Sequence, residues 1–187
     1  MLHARRIAQG WRPVGRKIGF TNRTIWPRYN VYRPMWSHVW DRTVADAPDG
    51  VASIDVSATH EPRIEPEIVF GLAAPLPAAG GAREMLDAVA WIAAGFEIVH
   101  SVFPGWRFRA PDCTAAFGLH AGLVVGPRRT VGADERDALF AILPSFEVTL
   151  RRNGAVADTG TGANVLGSPA HALAHLRDVL AAQPFFP

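Results

Sequence analysis

The stretch Arg63-Ile64-Glu65-Pro66-Glu67-Ile68-Val69-Phe70 carries two carboxylates two residues apart, inside an apolar run that continues to Gly71 and Leu72. As a β-strand it turns residues i and i+2 to one face. Glu65 and Glu67 then project together, and Ile64, Pro66 and Ile68 cover the other side. Adjacent like charges repel unless a cation or a proton sits between them. A third acid stands in a similar setting further on, in Gly95-Phe96-Glu97-Ile98-Val99. An unpaired charge in such a run is costly, so Glu97 requires a partner. Three carboxylates converging on one point suit a hard divalent cation, Mg²⁺ or Mn²⁺, with positions left for water or substrate. The Glu-x-Glu spacing also describes the solvated face of an edge strand, so spacing alone leaves both readings open.

These residues resemble the metal site of the fumarylacetoacetate hydrolase superfamily. The nearer match is its branch of 2-keto-4-pentenoate hydratases and 2-oxo-3-hexenedioate decarboxylases. Other segments agree in order and spacing: Gly15-Arg16-Lys17-Ile18-Gly19-Phe20-Thr21 upstream, Trp106 and Asp112 downstream, and Val165-Leu166-Gly167-Ser168-Pro169 near the end. The resemblance covers most of the chain. It implies that Glu65, Glu67 and Glu97 bind one divalent metal and that Lys17 lies in the active site. It also implies an α+β, mostly β fold: a rolled mixed β-sheet of the fumarylacetoacetate hydrolase C-terminal-domain type with flanking helices. Relatives begin earlier and continue beyond Pro184-Phe185-Phe186-Pro187. On that comparison the chain is short at both ends, as a fragment or a naturally reduced relative would be.

The chain has 187 residues, one domain's worth, spanning 1–187. Hydrophobic residues make up 49% and charged residues 19%, a globular and not a disordered composition. The net charge is +2, and Lys17 is the sole lysine among 19 basic residues. Scattered arginines argue against a nucleic-acid partner and fit a protein that binds small anions. One cysteine, Cys113, excludes an internal disulfide and fits a reducing compartment. No apolar run is long enough for a membrane span and no signal segment is evident, so a cytoplasmic protein is expected.

Taken in order, residues 14–21 predict a strand with glycines at 15 and 19. Lys17 on it is either a solvated edge charge or, as the resemblance implies, a cation that holds a carboxylate or moves a proton. Residues 24–40 read as an aromatic loop with one turn of structure. In relatives this region is a lid that often carries acids; here Arg33-Pro34-Met35-Trp36 stands there. Arg28 and Arg33 are candidates for a substrate carboxylate, or plain solvent-exposed loop residues. Residues 51–58 alternate as a strand, and 82–94 have the apolar spacing of a helix ended by Gly95. Asp112 reads as a cap or a water-ordering group. His120 is a candidate proton donor or acceptor over the metal, or a structural residue beside a strand. Residues 145–151 alternate cleanly, and Asn153-Gly154 signals a hairpin. Gly160-Thr161-Gly162 is too sparse for a phosphate loop. Ser168-Pro169 starts a helix to about 182, on which His171 and His175 form a structural face.

The resemblance implies a divalent-metal-dependent lyase acting on a 2-keto acid. It would be a hydratase of a 2-hydroxypenta-2,4-dienoate-type substrate or a decarboxylase of a 2-oxo-hexenedioate-type substrate, in aromatic-compound catabolism. The shared step is a metal-stabilised enolate. The alternatives are a C–C bond hydrolase of an acylpyruvate, for which His60-Glu61 is a poor match, and a non-catalytic partner subunit. The assembly implied is a homo-oligomer or a complex with a related subunit.

Overall fold

The computed structural model describes residues 2–183. The chain runs α1 (Leu2–Ala8), β1 (Pro13–Gly19), α2 (Trp26–Tyr29), β2 (Met35–Trp40), β3 (Val44–Asp46), β4 (Arg63–Leu72), β5 (Val89–Val99), α3 (Ala110–Ala115), β6 (His120–Val125), β7 (Arg129–Thr130), α4 (Arg136–Ile142), β8 (Glu147–Arg152), β9 (Ala155–Thr161) and α5 (Pro169–Ala181), with short 3₁₀ turns between them. This is a mixed fold of strands and helices. The sequence reading treats the chain as a single domain; the described residues gather into two compact units, one of residues 2–20, 24–67 and 94–128, the other of 21–23, 68–93 and 129–183. The tail Pro184-Phe185-Phe186-Pro187 lies outside the described residues.

In the first unit β1 and β2 form an antiparallel ribbon, with Lys17 opposite Ser37 and Arg16 opposite His38. β3 runs parallel to β6, and β5 runs antiparallel to β6 with Glu97 opposite Leu123. The register slips between Ile98 and Val99, so that Val99 faces His120 where an unbroken ladder would bring Ala121. Because cross-strand partners share a face and faces alternate, this bulge moves His120 onto the face of Glu97. The unit's apolar cluster is Val99, Trp106, Cys113 and Leu119, joined by Phe20, Met35, Phe103, Phe108 and Ala116.

In the second unit the core is Met85, Leu86, Val89, Val131, Leu139, Leu143, Ala170 and Leu173. The hairpin β8–β9 pairs Glu147 with Thr161 through Arg152 with Ala155, and Val148 and Leu150 are the half-buried positions of β8, as the alternation predicts. Ser168 caps α5, its hydroxyl accepting from the Ala170 N–H at 3.3 Å, with Pro169 at the first helical position.

Three expectations are corrected. Residues 82–94 are not a helix: a 3₁₀ turn, Glu84–Ala88, leads straight into β5, and Gly95 lies within that strand. The apolar spacing is satisfied by burying Met85 and Leu86 in the turn, while Val89, Trp91 and Ile92 are residues that pack well on a pleated sheet. Gly71 of β4 makes room for Trp91; a Cβ there would stand 1.8 Å from the indole. Residues 51–58 form no strand, because polar side chains in and just before this segment satisfy the local backbone. Asp49 accepts from the Val51 N–H at 3.2 Å and Asp55 from the Ser57 N–H at 2.8 Å. The aromatic stretch 24–40 is more regular than a loop, since Met35–Trp40 is a strand. Pro34 precedes it, where a missing N–H costs no ladder bond. Among the described residues no helix is long and apolar enough to cross a membrane.

Candidate metal centre

β4 places Glu65 and Glu67 on one face, as period 2 requires, and β5 brings in Glu97. One carboxylate oxygen from each lies within 4.8 Å of the others. The cluster is graded from solvent inward: Glu65 is exposed, Glu67 half-buried and Glu97 only 3% exposed. Lys17, reaching from β1, sets its Nζ 2.6 Å from Oε2 of Glu97 and donates to the carbonyl of Gly118 at 3.0 Å.

The other oxygen of Glu97 is also held. Nδ1 of His120 lies 2.7 Å from Oε1, and Nε2 lies 2.8 Å from the Thr43 hydroxyl. A carboxylate only accepts, so Nδ1 carries the proton toward Glu97. The Thr43 hydroxyl accepts from the Trp40 N–H at 3.3 Å and donates to the Trp40 carbonyl at 2.9 Å. The imidazole is wholly enclosed and both nitrogens are engaged. Its position suits holding Glu97 in one orientation.

The charges do not balance. Burial pushes the Glu67 carboxyl up to about 8, and the neighbouring Glu97 and Glu65 reinforce this against the pull of Lys17. Glu65 is exposed as a residue, but its carboxyl end sits among the other acids, and loss of water around that end raises it as well, with Lys17 opposing. At Glu97 burial acts upward too, but the Lys17 charge and the His120 hydrogen bond outweigh it and hold the group below the usual carboxylate range. Burial would lower the Lys17 ammonium; the charge and hydrogen bond of Glu97, then Glu65 and Glu67, more than reverse this and raise it. One ammonium thus faces three carboxylates, and Glu67 is left to take up a proton. An all-oxygen donor set with surplus negative charge is what a hard divalent cation takes.

The turn before β6 aims the Gly118 carbonyl at Lys17. Phe117, Gly118 and Leu119 sit at φ +54°, +65° and +63°. Left-handed backbone costs a residue other than glycine about 1–2 kcal/mol, so surrounding packing must hold the two flanking residues there. Leu119 is buried in the apolar cluster, and the Arg6 guanidinium lies 3.8 Å from the Phe117 ring centroid. Cys113, from α3, lies close enough to the acids to feel them. Burial first, then Glu65 and Glu97, push its thiol up to about 11, with Lys17 opposing.

Other sequence candidates fall elsewhere. Arg28 and Arg33 are exposed, and the bonds to Glu97 come from Lys17 and His120 instead. Asp112 caps α3 by accepting from the Arg109 N–H at 2.9 Å. Glu61 spends Oε1 on the Gly105 N–H at 2.9 Å. His171 is exposed and His175 half-buried on α5. Three participants had no signal strong enough to single them out: Thr43, the Gly118 carbonyl and Arg63. Arg63 alone could have been found, since it shares the i, i+2 register of the two acids.

The fold and this cluster together define a class: a mixed α and β protein whose carboxylate trio could hold a divalent cation beside a buried lysine. No family profile matches the sequence. Individual relatives do. The chain is 34% identical over 185 residues to a 2-hydroxyhexa-2,4-dienoate hydratase of Comamonas testosteroni, covering 97% of this chain and 67% of the relative. It is 32% identical over 174 residues to a 4-oxalocrotonate decarboxylase of a Pseudomonas species, covering 92% of this chain and 63% of that protein. The structure superposes on 4-oxalocrotonate decarboxylase from Pseudomonas putida G7, solved with magnesium and adipate, with a TM-score of 0.83, 26% identity, and 97% of this chain and 66% of that one covered. The chain belongs to the family of the 2-keto-4-pentenoate hydratases and 4-oxalocrotonate decarboxylases. It spans about two thirds of the length of these relatives.

Proposed function

We propose that the protein is a divalent-metal-dependent lyase acting on a 2-keto acid, as a hydratase or a decarboxylase. One observation carries this reading: three carboxylates with oxygens within 4.8 Å face a single ammonium, in a chain of this family. Glu65, Glu67 and Glu97 hold Mg²⁺ or Mn²⁺. A cation held there would supply Lewis acidity toward a bound 2-keto acid, the chemistry that hydration and decarboxylation share. Lys17 offers an ammonium beside the same centre, where it neutralises developing charge or passes a proton. His120 orients Glu97 through Nδ1 and is itself oriented by Thr43. Arg28 and Arg33, on the segment before β2, are candidates to meet the substrate from solvent. The fold type that accords with this reading is the rolled sheet of the fumarylacetoacetate hydrolase C-terminal domain, in a homo-oligomer or with a related subunit.

The test is calorimetry of Mg²⁺ or Mn²⁺ with and without oxalate, a planar mimic of the enolate, on wild type and Glu97→Ala. Metal-dependent oxalate binding that disappears in the variant supports the lyase. Wild type that binds no metal at millimolar concentration rules it out for this chain. Turnover of a 2-hydroxypenta-2,4-dienoate or a 2-oxo-3-hexenedioate then separates hydratase from decarboxylase.

A further inference from the structure

β4 turns a third charged side chain to the face of Glu65 and Glu67. Arg63 stands one two-residue repeat before Glu65, about 7 Å along the strand. Its charge reaches Glu65, where it works against the upward push of burial.

The guanidinium is held in place although it is exposed. Its central carbon lies 3.8 Å from the ring centroid of Trp106, and Nη1 donates to the Tyr29 hydroxyl at 3.4 Å. Both partners are anchored in turn. Tyr29 stacks on Phe108 with centroids 5.1 Å apart and planes 13° apart. The Trp106 Nε1–H donates to the Glu61 carbonyl at 3.1 Å. A ring and a hydroxyl hold the cation without neutralising it. An arginine laid against an aromatic face keeps its remaining N–H groups in plane, the geometry that receives a carboxylate through two bonds.

We propose that Arg63 binds the distal carboxylate of the substrate, so that the protein selects 2-oxo dioates over 2-oxo acids with an uncharged tail. The inference rests on the reading of the acid cluster as a metal centre, which fixes the other end of the substrate. With C–C bonds of about 1.5 Å, the two carboxyl carbons of an extended six-carbon dioate lie about 6 Å apart, a span of the same order as the backbone repeat between Arg63 and Glu65. Arg28 and Arg33 lie on the segment before β2, off β4, and neither shares the strand face of the acids.

A simpler role would be a counter-charge for Glu65 alone, and the experiment separates the two. The Mg²⁺-loaded protein is titrated with oxalate, 2-oxohexanoate and 2-oxohexanedioate, as wild type, Arg63→Gln and Arg63→Lys, each first shown to keep the wild-type unfolding temperature. A charge-assisted pair gives wild type a 10–100-fold preference for the dioate over the monoacid. That ratio falls to about 1 in Arg63→Gln and is partly restored in Arg63→Lys, while oxalate affinity stays within about twofold throughout, since the lost pair is not one that oxalate makes. A wild-type ratio near unity overturns the proposal, as does a ratio unchanged in Arg63→Gln. Equal weakening of all three ligands assigns Arg63 to Glu65 instead and also overturns it. Failure of oxalate to bind wild type strikes the metal centre itself, whereas a failed ratio with oxalate still binding strikes Arg63 alone.

Discussion

Nζ of Lys17 lies 2.6 Å from Oε2 of Glu97, joining positions 80 residues apart, with the two side chains 12% and 4% exposed. Removing one member of so buried a pair leaves the other charge uncompensated, at a cost of about 3–5 kcal/mol. Lys17→Met should therefore lower the stability of the metal-free protein by that order in denaturant titrations. It should also cut turnover by about 10²–10⁴-fold, the usual worth of a positioned proton-transfer group. Because it deepens the negative charge of the cluster, Mg²⁺ should stabilise Lys17→Met more than wild type. A variant as stable as wild type, or one indifferent to Mg²⁺, would show that the pair is not structural.

The carboxyl of Glu67, pushed up to about 8, gives the metal-free protein a pH dependence of definite sign. Its folded-state value lies above the unfolded one, so between about 4.5 and 8 the folded protein holds the extra proton. Stability then falls as pH rises through that window. Glu67→Gln should flatten the fall in thermal unfolding curves. Metal requires the ionised form, so Mg²⁺ affinity should climb over the same window with release of a proton, visible as a buffer-dependent calorimetric heat. At a hundredfold excess over its dissociation constant the metal adds about 2.7 kcal/mol. A metal affinity flat from pH 6 to 8 would contradict the assignment.

His120 holds Oε1 of Glu97 at 2.7 Å and leans on Thr43 at 2.8 Å. Losing a hydrogen-bond partner of a coordinating carboxylate costs 10–100-fold in metal affinity or activity. His120→Leu should show that loss for Mg²⁺, and Thr43→Val a smaller one in the same direction. If His120→Leu spared Mg²⁺ affinity but abolished turnover, the imidazole would be a proton carrier and not a brace.

The Cys113 thiol is buried and pushed up to about 11. It should resist iodoacetamide at pH 8 in the folded protein and react fully in denaturant, because only the thiolate attacks. Mass spectrometry reads both states. Rapid labelling under native conditions would mean that α3 opens readily.

The acid strand was legible in the sequence because its chemistry is local: period 2 alone puts Glu65 and Glu67 together, and an apolar setting alone demands a partner for Glu97. The identity of those partners was not local. His120 reaches Glu97 through a slip of one residue between β5 and β6, and no pattern within either strand reveals that slip. The same limit explains the error at residues 82–94, where helical spacing and a buried turn followed by a strand present the same apolar positions. Residues 51–58 misled in the opposite way, with an alternation that is real but surrendered to Asx-type turns. The aromatic stretch 35–40 hid a strand behind Pro34.

The five side chains at the cluster's heart, Lys17, Glu65, Glu67, Glu97 and His120, come from the four strands β1, β4, β5 and β6, and no hairpin or neighbouring pair of elements contains them all. Such long sequence separations make closure slow and place it late on the path to the native state. A cation recognised only after that closure has little to grip in the transition state. Its stabilisation should then appear almost entirely as slower unfolding, with the refolding rate nearly the same at every Mg²⁺ concentration.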